Sequence, residues 1–307
     1  MKLNFNYPNG TYVVAVSGGV DSMALLHSLI ANYPENTYII AHCDHGMRED
    51  SANDAALVRQ YAANVRRTYE QNDLHLGGRA SEALARRERY KFLRDVATKH
   101  CANAIITAHH QDDVLETFYI NLIRGTGSRG LASLKNHDDI LRPMLHIPKQ
   151  DVYAYALQNA IEWHEDPTNT DTKYLRNAVR QKIVANMTTE NRDASLKMID
   201  HSQRINKQLD KELAGFVSKG MHKNQLVIKR SWFVHLPHSV ASEYVYYVFK
   251  VNDVSEIDKK MVEQAVIAIK TMRPGKMLQL SGVEIHITKR SARIKCIEKQ
   301  IKTRYNR

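Results

Sequence analysis

The chain has 307 residues, 43% of them apolar and 25% charged, which is room for about two domains of ordinary globular composition. It has no apolar run of the roughly 18 residues that a membrane span needs and no apolar core near Met1, so neither a span nor export is expected. Cys43, Cys101 and Cys296 form no C-x-x-C pair, which argues against a zinc ribbon, a thiol redox site or a cysteine-held iron–sulfur cluster and fits the cytoplasm.

The first half alternates between two patterns. Residues 12–16 predict a short, fully apolar strand of a parallel sheet covered on both faces. Residues 22–32 predict a helix with Leu25, Leu26, Leu29 and Ile30 on one side. A strand over 37–43, a helix over 51–65 capped by Ser51 and a short strand near 69–74 follow. An Arg-rich helix over 82–99, a buried strand over 104–107 and a helix over 112–123 continue the series. Such alternation predicts an α/β fold with a doubly wound, mostly parallel, Rossmann-like sheet. Ligands in these sheets sit at the carboxyl ends of strands, where residues 17–22, 44–48 and 109–116 fall.

Near Met187 the pattern changes. A polar helix over 195–217, a strand over 225–229, helices over 240–251 and 258–271, and strands over 277–280 and 283–288 predict a smaller α+β domain. The expected division is a catalytic domain at 1–190 and an accessory domain at 191–307, with a helical linker at about 191–220. Charge divides the same way. Residues 1–190 hold 21 Lys+Arg against 22 Asp+Glu, whereas 191–307 hold 23 against 11. Residues 290–307, which read as a basic tail, hold seven against one. A whole basic domain beside a neutral one points to a polyanionic partner, nucleic acid above all.

The stretch Ser17-Gly18-Gly19-Val20-Asp21-Ser22 separates a predicted strand from a predicted helix. Two glycines let successive N–H groups line one concavity, and the helix start adds its positive dipole end. The result is an anion cradle to which Ser17 and Ser22 add hydroxyl donors. Asp21 can cap the helix, or hold Mg²⁺ that bridges to phosphate. The loop is not G-x-x-x-x-G-K-[ST]; it lacks both the lysine and the spacing. Asp113 and Glu116 stand three apart at a helix start and share a face, which suits recognition of an ammonium or deprotonation of an amine. His109 and His110 precede them with no third nitrogen or sulfur ligand at zinc spacing. Arg86, Arg87 and Arg89 lie on the long helix, and Arg176 and Arg180 form a ridge on a later one. Each group suits either RNA phosphate or plain solvated surface.

S-G-G-V-D-S resembles the pyrophosphate loop of the PP-loop ATPases. The resemblance implies ATP cleaved between its α and β phosphates, an adenylated intermediate and released pyrophosphate. Further segments resemble the tRNA(Ile)-lysidine synthetases within that group. These are A-H-C-D-H-G-M-R at 41–48, S-E-A-L-A-R-R-E-R-Y at 81–90 and T-A-H-H-Q-D-D-V-L-E-T at 107–117. They continue with R-G-T-G at 124–127, L-R-P-M-L at 141–145, E-D-P-T-N at 165–169 and Y-L-R-N at 174–177. The match covers residues 12–185; Cys43 replaces a more usual apolar residue, and 190–307 carry no assignable motif.

The resemblance implies a carbon–nitrogen ligase. ATP adenylates the 2-carbonyl oxygen of the first anticodon cytidine of isoleucine tRNA with a CAU anticodon, and lysine then displaces AMP. It implies Asp21, Asp113 and Glu116 as catalytic. Ser17, Gly18, Gly19, Val20, Asp21, Ser22 and Arg89 would bind ATP and pyrophosphate. Asp44, His109, Asp113 and Glu116 would contact lysine or cytidine. Arg86, Arg87, Arg176 and Arg180 would meet tRNA, and Asp21 would hold Mg²⁺. The expected ligands and partners are thus ATP, Mg²⁺, L-lysine and this tRNA, with a homodimer and no membrane. Two alternatives are a PP-loop tRNA thiolase, for which Cys43 is the sole cysteine near the site, and a tRNA-binding relative that has lost catalysis.

Overall fold

A computed structural model describes residues 1–44, 51–73, 82–136, 139–165, 175–218, 221–222, 225–252, 254 and 257–296. The chain divides into two compact units, Met1–Gln203 and Arg204–Arg307.

In the first unit, β1 (Thr11–Ala15), β2 (Thr37–Asp44), β3 (Tyr69–Asp73), β4 (Ala104–Ile106) and β5 (Ile140–Leu141) form one parallel sheet. Its order is β3-β2-β1-β4-β5. The helices are α1 (Val20–Asn32), α2 (Ser51–Asn64), α3 (Glu82–Lys99), α4 (Gln111–Ile123), α5 (Ser128–Leu131), α6 (Lys149–Gln158), α7 (Leu175–Lys182) and α8 (Thr189–Ser218). Strand residues alternate between two cores, so both faces must be apolar. Tyr12, Val14, Tyr38, Ile40 and Ile106 pack with Leu25 and Leu29 of α1, Val58 of α2 and Val152 of α6. Val13, Ile39, Ala41 and Ile105 pack on the other face with Tyr90, Leu93 and Val96 of α3. Helices on both faces make the sheet doubly wound, as the alternation predicts. Its order reverses between β1 and β4, so their carboxyl ends flank the crevice where such folds take ligands.

The expected strands and helices of this half fall within one or two residues of their places. Helix α1 begins at Val20 rather than at residue 22, which tightens the loop after β1. Strand β5, at two residues, is too short to show a pattern, and α6 has a weak one; both escape the sequence reading. The Ser51 side chain, residues 45–48, Leu74, Ser81 and residues 166–174 lie outside the described parts.

The second unit holds β6 (Met221–His222), β7 (Gln225–Lys229), α9 (Arg230–Val234), α10 (His238–Val251), α11 (Lys259–Thr271), β8 (Met277–Leu280), β9 (Val283–Ile287) and β10 (Ser291–Cys296). Its sheet is antiparallel, in the order β6-β7-β10-β9-β8. Ile285, Ile287, Ala292 and Ile294 turn inward against Val245, Phe249, Ala265 and Ile269 of the helices. One reading needs correction. Residues 291–296, taken with the basic tail, form the middle strand of this sheet, because Ala292 and Ile294 alternate with outward Arg293 and Lys295. The division between the two units falls within α8. Leu196 and Ile199 join the first unit's core with α4 and α7, whereas Leu213 and Val217 join the second's.

Candidate active site

The loop after β1 is built as an anion cradle. Gly18 has φ +90°, a left-handed value that glycine adopts without strain, and a Cβ there would come within 3.2 Å of the Asp54 side chain. The Ser22 hydroxyl accepts from Ser17 N at 3.1 Å and donates to Gly19 O at 2.9 Å, pinning the loop to the first turn of α1. His164 N donates to Gly18 O at 3.1 Å, and its ring lies 2.9 Å from Asp54 Oδ1. Ser17, Gly18, Gly19, Val20, Asp21 and Ser22 thus form one turn at the helix N-terminus, where backbone dipoles favour negative charge.

Asp21 does not face this cradle unopposed. Lys149 Nζ, from the first residue of α6, sits 2.5 Å from its Oδ1, and His110 Nε2 lies 3.6 Å from its Oδ2. Burial alone would raise the Asp21 carboxyl, but hydrogen bonding and charge from His110, then Lys149, outweigh it and hold it below the usual carboxylate range. The sequence reading missed Lys149. A lysine that opens a helix opposes the helix dipole, and that local conflict was the available sign of an acid beside it. A lysine ammonium thus stands beside the loop, on a residue 128 positions further along the chain.

His110 links the two acidic groups. It is buried, N-caps α4 in extended conformation and forms a parallel bridge with Met144 beside β5. Its N–H donates to Asp113 Oδ2 at 3.0 Å. Burial disfavours its imidazolium, yet Asp21 and Asp113 prevail and raise its pKa above the ordinary histidine value. His109 behaves oppositely. Burial foremost, then the charges of Arg142, Arg89 and Arg86, push it down to about 3 against the pull of Asp113. Its Nδ1 shares a 2.9 Å hydrogen bond with Thr107 Oγ1. At neutral pH His109 is therefore a neutral ring, beside a His110 whose protonated form is favoured more than in an ordinary histidine.

Glu116 is fully buried at 0% exposure, one turn along α4 from Asp113. Arg180 Nε lies 2.6 Å from its Oε1 and Arg176 Nε 3.4 Å from its Oε2. Arg176 also donates to Thr117 Oγ1 at 3.3 Å. Burial raises the Glu116 carboxyl despite Arg180. The expected basic ridge on α7 is therefore turned onto the acidic face of α4. Asp112 points another way, to Lys149 N at 3.2 Å and to both terminal nitrogens of Arg192 at 2.9 and 3.1 Å.

The long-helix arginines separate. Arg86, Arg89 and Arg94 place guanidinium carbons 5.0, 5.5 and 5.8 Å from the Tyr90 ring. Arg89 lies close enough to Cys43 and His109 to act on both. Arg87 pairs with its neighbour Glu88 at 3.1 Å, its side chain 65% exposed. Asp44 ends β2 in register with Asp73. The Cys43 thiol is pushed up to about 11, chiefly by burial. Arg142, part of the segment at 141–145 but given no role from sequence, is buried with its Nε unpartnered.

Among the described residues, no three His, Cys, Asp or Glu side chains gather to hold a metal. The donor set beside the anion cradle offers Mg²⁺ Asp21, which Lys149 pairs, and Asp54, which His164 pairs. That fits an ion shared with phosphate oxygens, since magnesium commonly takes one or two carboxylates plus substrate phosphates. No helix among the described residues is long and apolar enough to cross a membrane.

Comparisons with known proteins agree with this geometry. The tRNA(Ile)-lysidine synthase of Exiguobacterium sibiricum is 39% identical over 189 residues, 60% of this chain and 45% of that protein. Those of Enterococcus faecalis and Thermotoga maritima are 37% and 33% identical, over 61% and 68% of this chain and 42% and 54% of those proteins. The chain thus spans about half the length of the curated relatives it matches. Among solved structures, the U34-tRNA thiolase of Methanococcus maripaludis, with its [4Fe-4S] cluster, superposes at TM-score 0.55 and 19% identity, over 65% of this chain and 73% of that one. That likeness is one of fold. A family model described as "PP-loop domain" matches residues 2–187, the stretch that holds the cradle, the histidine pair and α7. The chain belongs to the PP-loop domain family.

Proposed function

We propose that the chain is a tRNA(Ile)-lysidine synthase. It uses ATP to join lysine to the first anticodon cytidine of isoleucine tRNA bearing CAU, releasing AMP and pyrophosphate. One observation carries the reading. An anion cradle and a carboxylate group lie side by side, joined through Asp21, His110 and Asp113. A nucleotide triphosphate and a cationic co-substrate therefore suit one crevice.

In this reading Ser17, Gly18, Gly19, Val20 and Ser22 hold the pyrophosphate that departs, and Arg89 steadies the nucleotide. The cytidine 2-carbonyl oxygen attacks the α-phosphorus, and the bond to the β-phosphate oxygen breaks. Mg²⁺, held by Asp21 and phosphate oxygens, would supply charge neutralisation for the leaving group. The lysine ε-ammonium first passes a proton to a neighbouring carboxylate, its free amine attacks C2, AMP leaves carrying the C2 oxygen, and the second amine proton passes to solvent. Asp113 is the carboxylate we place on the lysine ammonium, with Asp44 and His109 beside the base. Glu116, sealed under Arg180, reaches the ligand only when α7 yields it. In that event Arg176 and Arg180 turn to tRNA phosphate, joined by Arg86 and Arg87 on α3.

The thiolase alternative is disfavoured by the chemistry of Cys43, whose raised pKa leaves little thiolate at neutral pH. The basic second unit is proposed to bind the tRNA body, and the setting is proposed to be cytoplasmic. A homodimer rests on no feature of the fold or the comparisons and is tested by sedimentation. The deciding assay incubates the chain with ATP, labelled lysine and isoleucine tRNA carrying CAU. Label is expected in RNA with one pyrophosphate per lysine. Pyrophosphate release without label in RNA would reject the lysine acceptor while leaving the ATP chemistry intact.

A further inference from the structure

Among the described residues, the second unit's sheet is packed on one face only. Val283, Ile285, Ile287, Ala292, Ile294, Leu226 and Ile228 turn to the helices and are buried. The residues that alternate with them form the other face, and their register places them side by side. Arg293 stands opposite His286 on β9, Lys295 opposite Glu284, and Ser291 opposite Lys229 on β7. Gly275 and Lys276, at the entrance to β8, close one edge. There Ile287 N donates to Lys276 O at 2.9 Å, and Gly275 N to Ile287 O at 2.8 Å. Together Gly275, Lys276, His286, Thr288, Arg293 and Lys295 line a concavity of about 390 Å³.

The charge on this face is unbalanced. Lys229, Arg293 and Lys295 are exposed, as is Lys276. Only one carboxylate, Glu284, faces them in register, and it leans to His286 at 3.5 Å. Among the described residues, Lys276, Arg293 and Lys295 have no ion-pair partner, although 11 Asp and Glu occur in residues 191–307. Like charges held this close repel modestly even in water, and a bound anion relieves that repulsion. Spacing also matters. Neighbouring strands lie about 4.8 Å apart and alternate residues about 6.8 Å apart, so the cations are spread along a surface rather than converged on one small anion, which suits a chain of phosphates.

We propose that this bare face of β7, β10, β9 and β8 is a docking platform for the phosphate backbone of RNA, with Lys276, Arg293 and Lys295 as its principal contacts. The proposal rests on the tRNA-modifying reading above and assigns its RNA-body contact to one surface of the second unit. Such contacts position the nucleic acid without reading its bases. The basic strand β10 thereby has two jobs on opposite sides: Ala292 and Ile294 seal the core, and Arg293 and Lys295 face the ligand.

The test compares the full chain with a K276Q/R293Q/K295Q variant and a K259Q/K260Q control on the helix side. Binding of fluorescent tRNA is read by anisotropy between about 50 and 200 mM salt. Thermal denaturation and ATP binding, which belongs to the other unit, verify that the variants fold. The platform variant is expected to bind tRNA about 10–100-fold more weakly, with the magnitude of its log–log salt slope smaller by about 2 to 3. The control should differ from wild type by less than about threefold. Equal losses in both variants would show that net charge rather than this face attracts RNA, and overturn the proposal. So would unchanged binding by the platform variant. If wild type binds no tRNA at all, the functional reading fails; if it binds and the variants behave alike, only the platform fails.

Discussion

Replacing Arg180 with Met tests the sealed ion pair at the centre of the first unit. Glu116 is 0% exposed, and Arg180 is its nearest cation, at 2.6 Å. Stranding a buried charge costs about 3–5 kcal/mol. Two features reduce that here. Arg176 stays 3.4 Å away, and the Arg180 side chain is itself 36% exposed, so part of the attraction is screened. We expect a loss of about 2 kcal/mol near neutral pH, which for a unit of this size lowers Tm by roughly 4–8 °C.

The pH dependence identifies the cause. The folded-state pKa of Glu116 is already raised, so its contribution to stability is full below the unfolded value of 4.5 and falls as pH rises through the folded value. Removing Arg180 raises that folded value further. The gap between R180M and wild type should therefore widen from pH 5 to pH 8, by at most about 1.4 kcal/mol per pH unit. In the E116Q background the same substitution should cost little. A gap that is constant with pH, or that persists in E116Q, would refute the ion-pair argument and point to lost packing of the arginine stem.

Lys149→Met should weaken ATP binding by about tenfold, a loss of roughly 1.4 kcal/mol, with Lys149→Arg closer to wild type; calorimetry reads both. Equal affinity in K149M would place the ammonium outside the nucleotide site. In Asp21→Asn the pKa of His110 should fall, since Asp21 is its leading source of elevation, and ring-proton NMR follows it. The stability that His110 contributes is full below its unfolded value of 6.5 and is lost as pH rises through the folded one. D21N should shift that loss to lower pH. Gly18→Ala meets both a φ of +90° and the Asp54 side chain, so a destabilisation of about 1–3 kcal/mol is expected together with weaker ATP binding. Unchanged Tm and affinity in G18A would show that the loop relaxes freely.

The first sheet was legible because burial on both faces leaves a plain apolar signature at residues 13–14, 39–41 and 104–106. The cradle was legible because Ser17-Gly18-Gly19-Val20-Asp21-Ser22, set between a predicted strand and a predicted helix, resembles a known pyrophosphate loop. Sequence spacing could not show which cations answer which acids. Asp113 and Glu116 share a helix face as expected, yet one lies under a histidine N–H and the other beneath two arginines. Those partners come from 64 and 60 residues further along the chain, where α7 packs on α4, and periodicity within α4 carries no trace of them. Lys149 likewise reads as surface until α6 is docked. In the second unit, positive charge masked a strand. Arg293 and Lys295 dominate the composition of 290–296, while two inward residues, Ala292 and Ile294, fix its conformation.

The position of β10 has a consequence for synthesis on the ribosome. The first sheet is complete once residue 141 has emerged, and its core can consolidate while the remainder is still being made. The second cannot close until residue 296, because its middle strand, between β7 and β9, comes after the other four described strands in the chain. A nascent chain halted at 290 would present two unjoined ribbons, β6-β7 and β8-β9, with open edges toward each other. Stalling or proteolytic loss there would cost the whole unit rather than one strand of it, leaving exposed hydrogen-bonding edges for chaperones to cover.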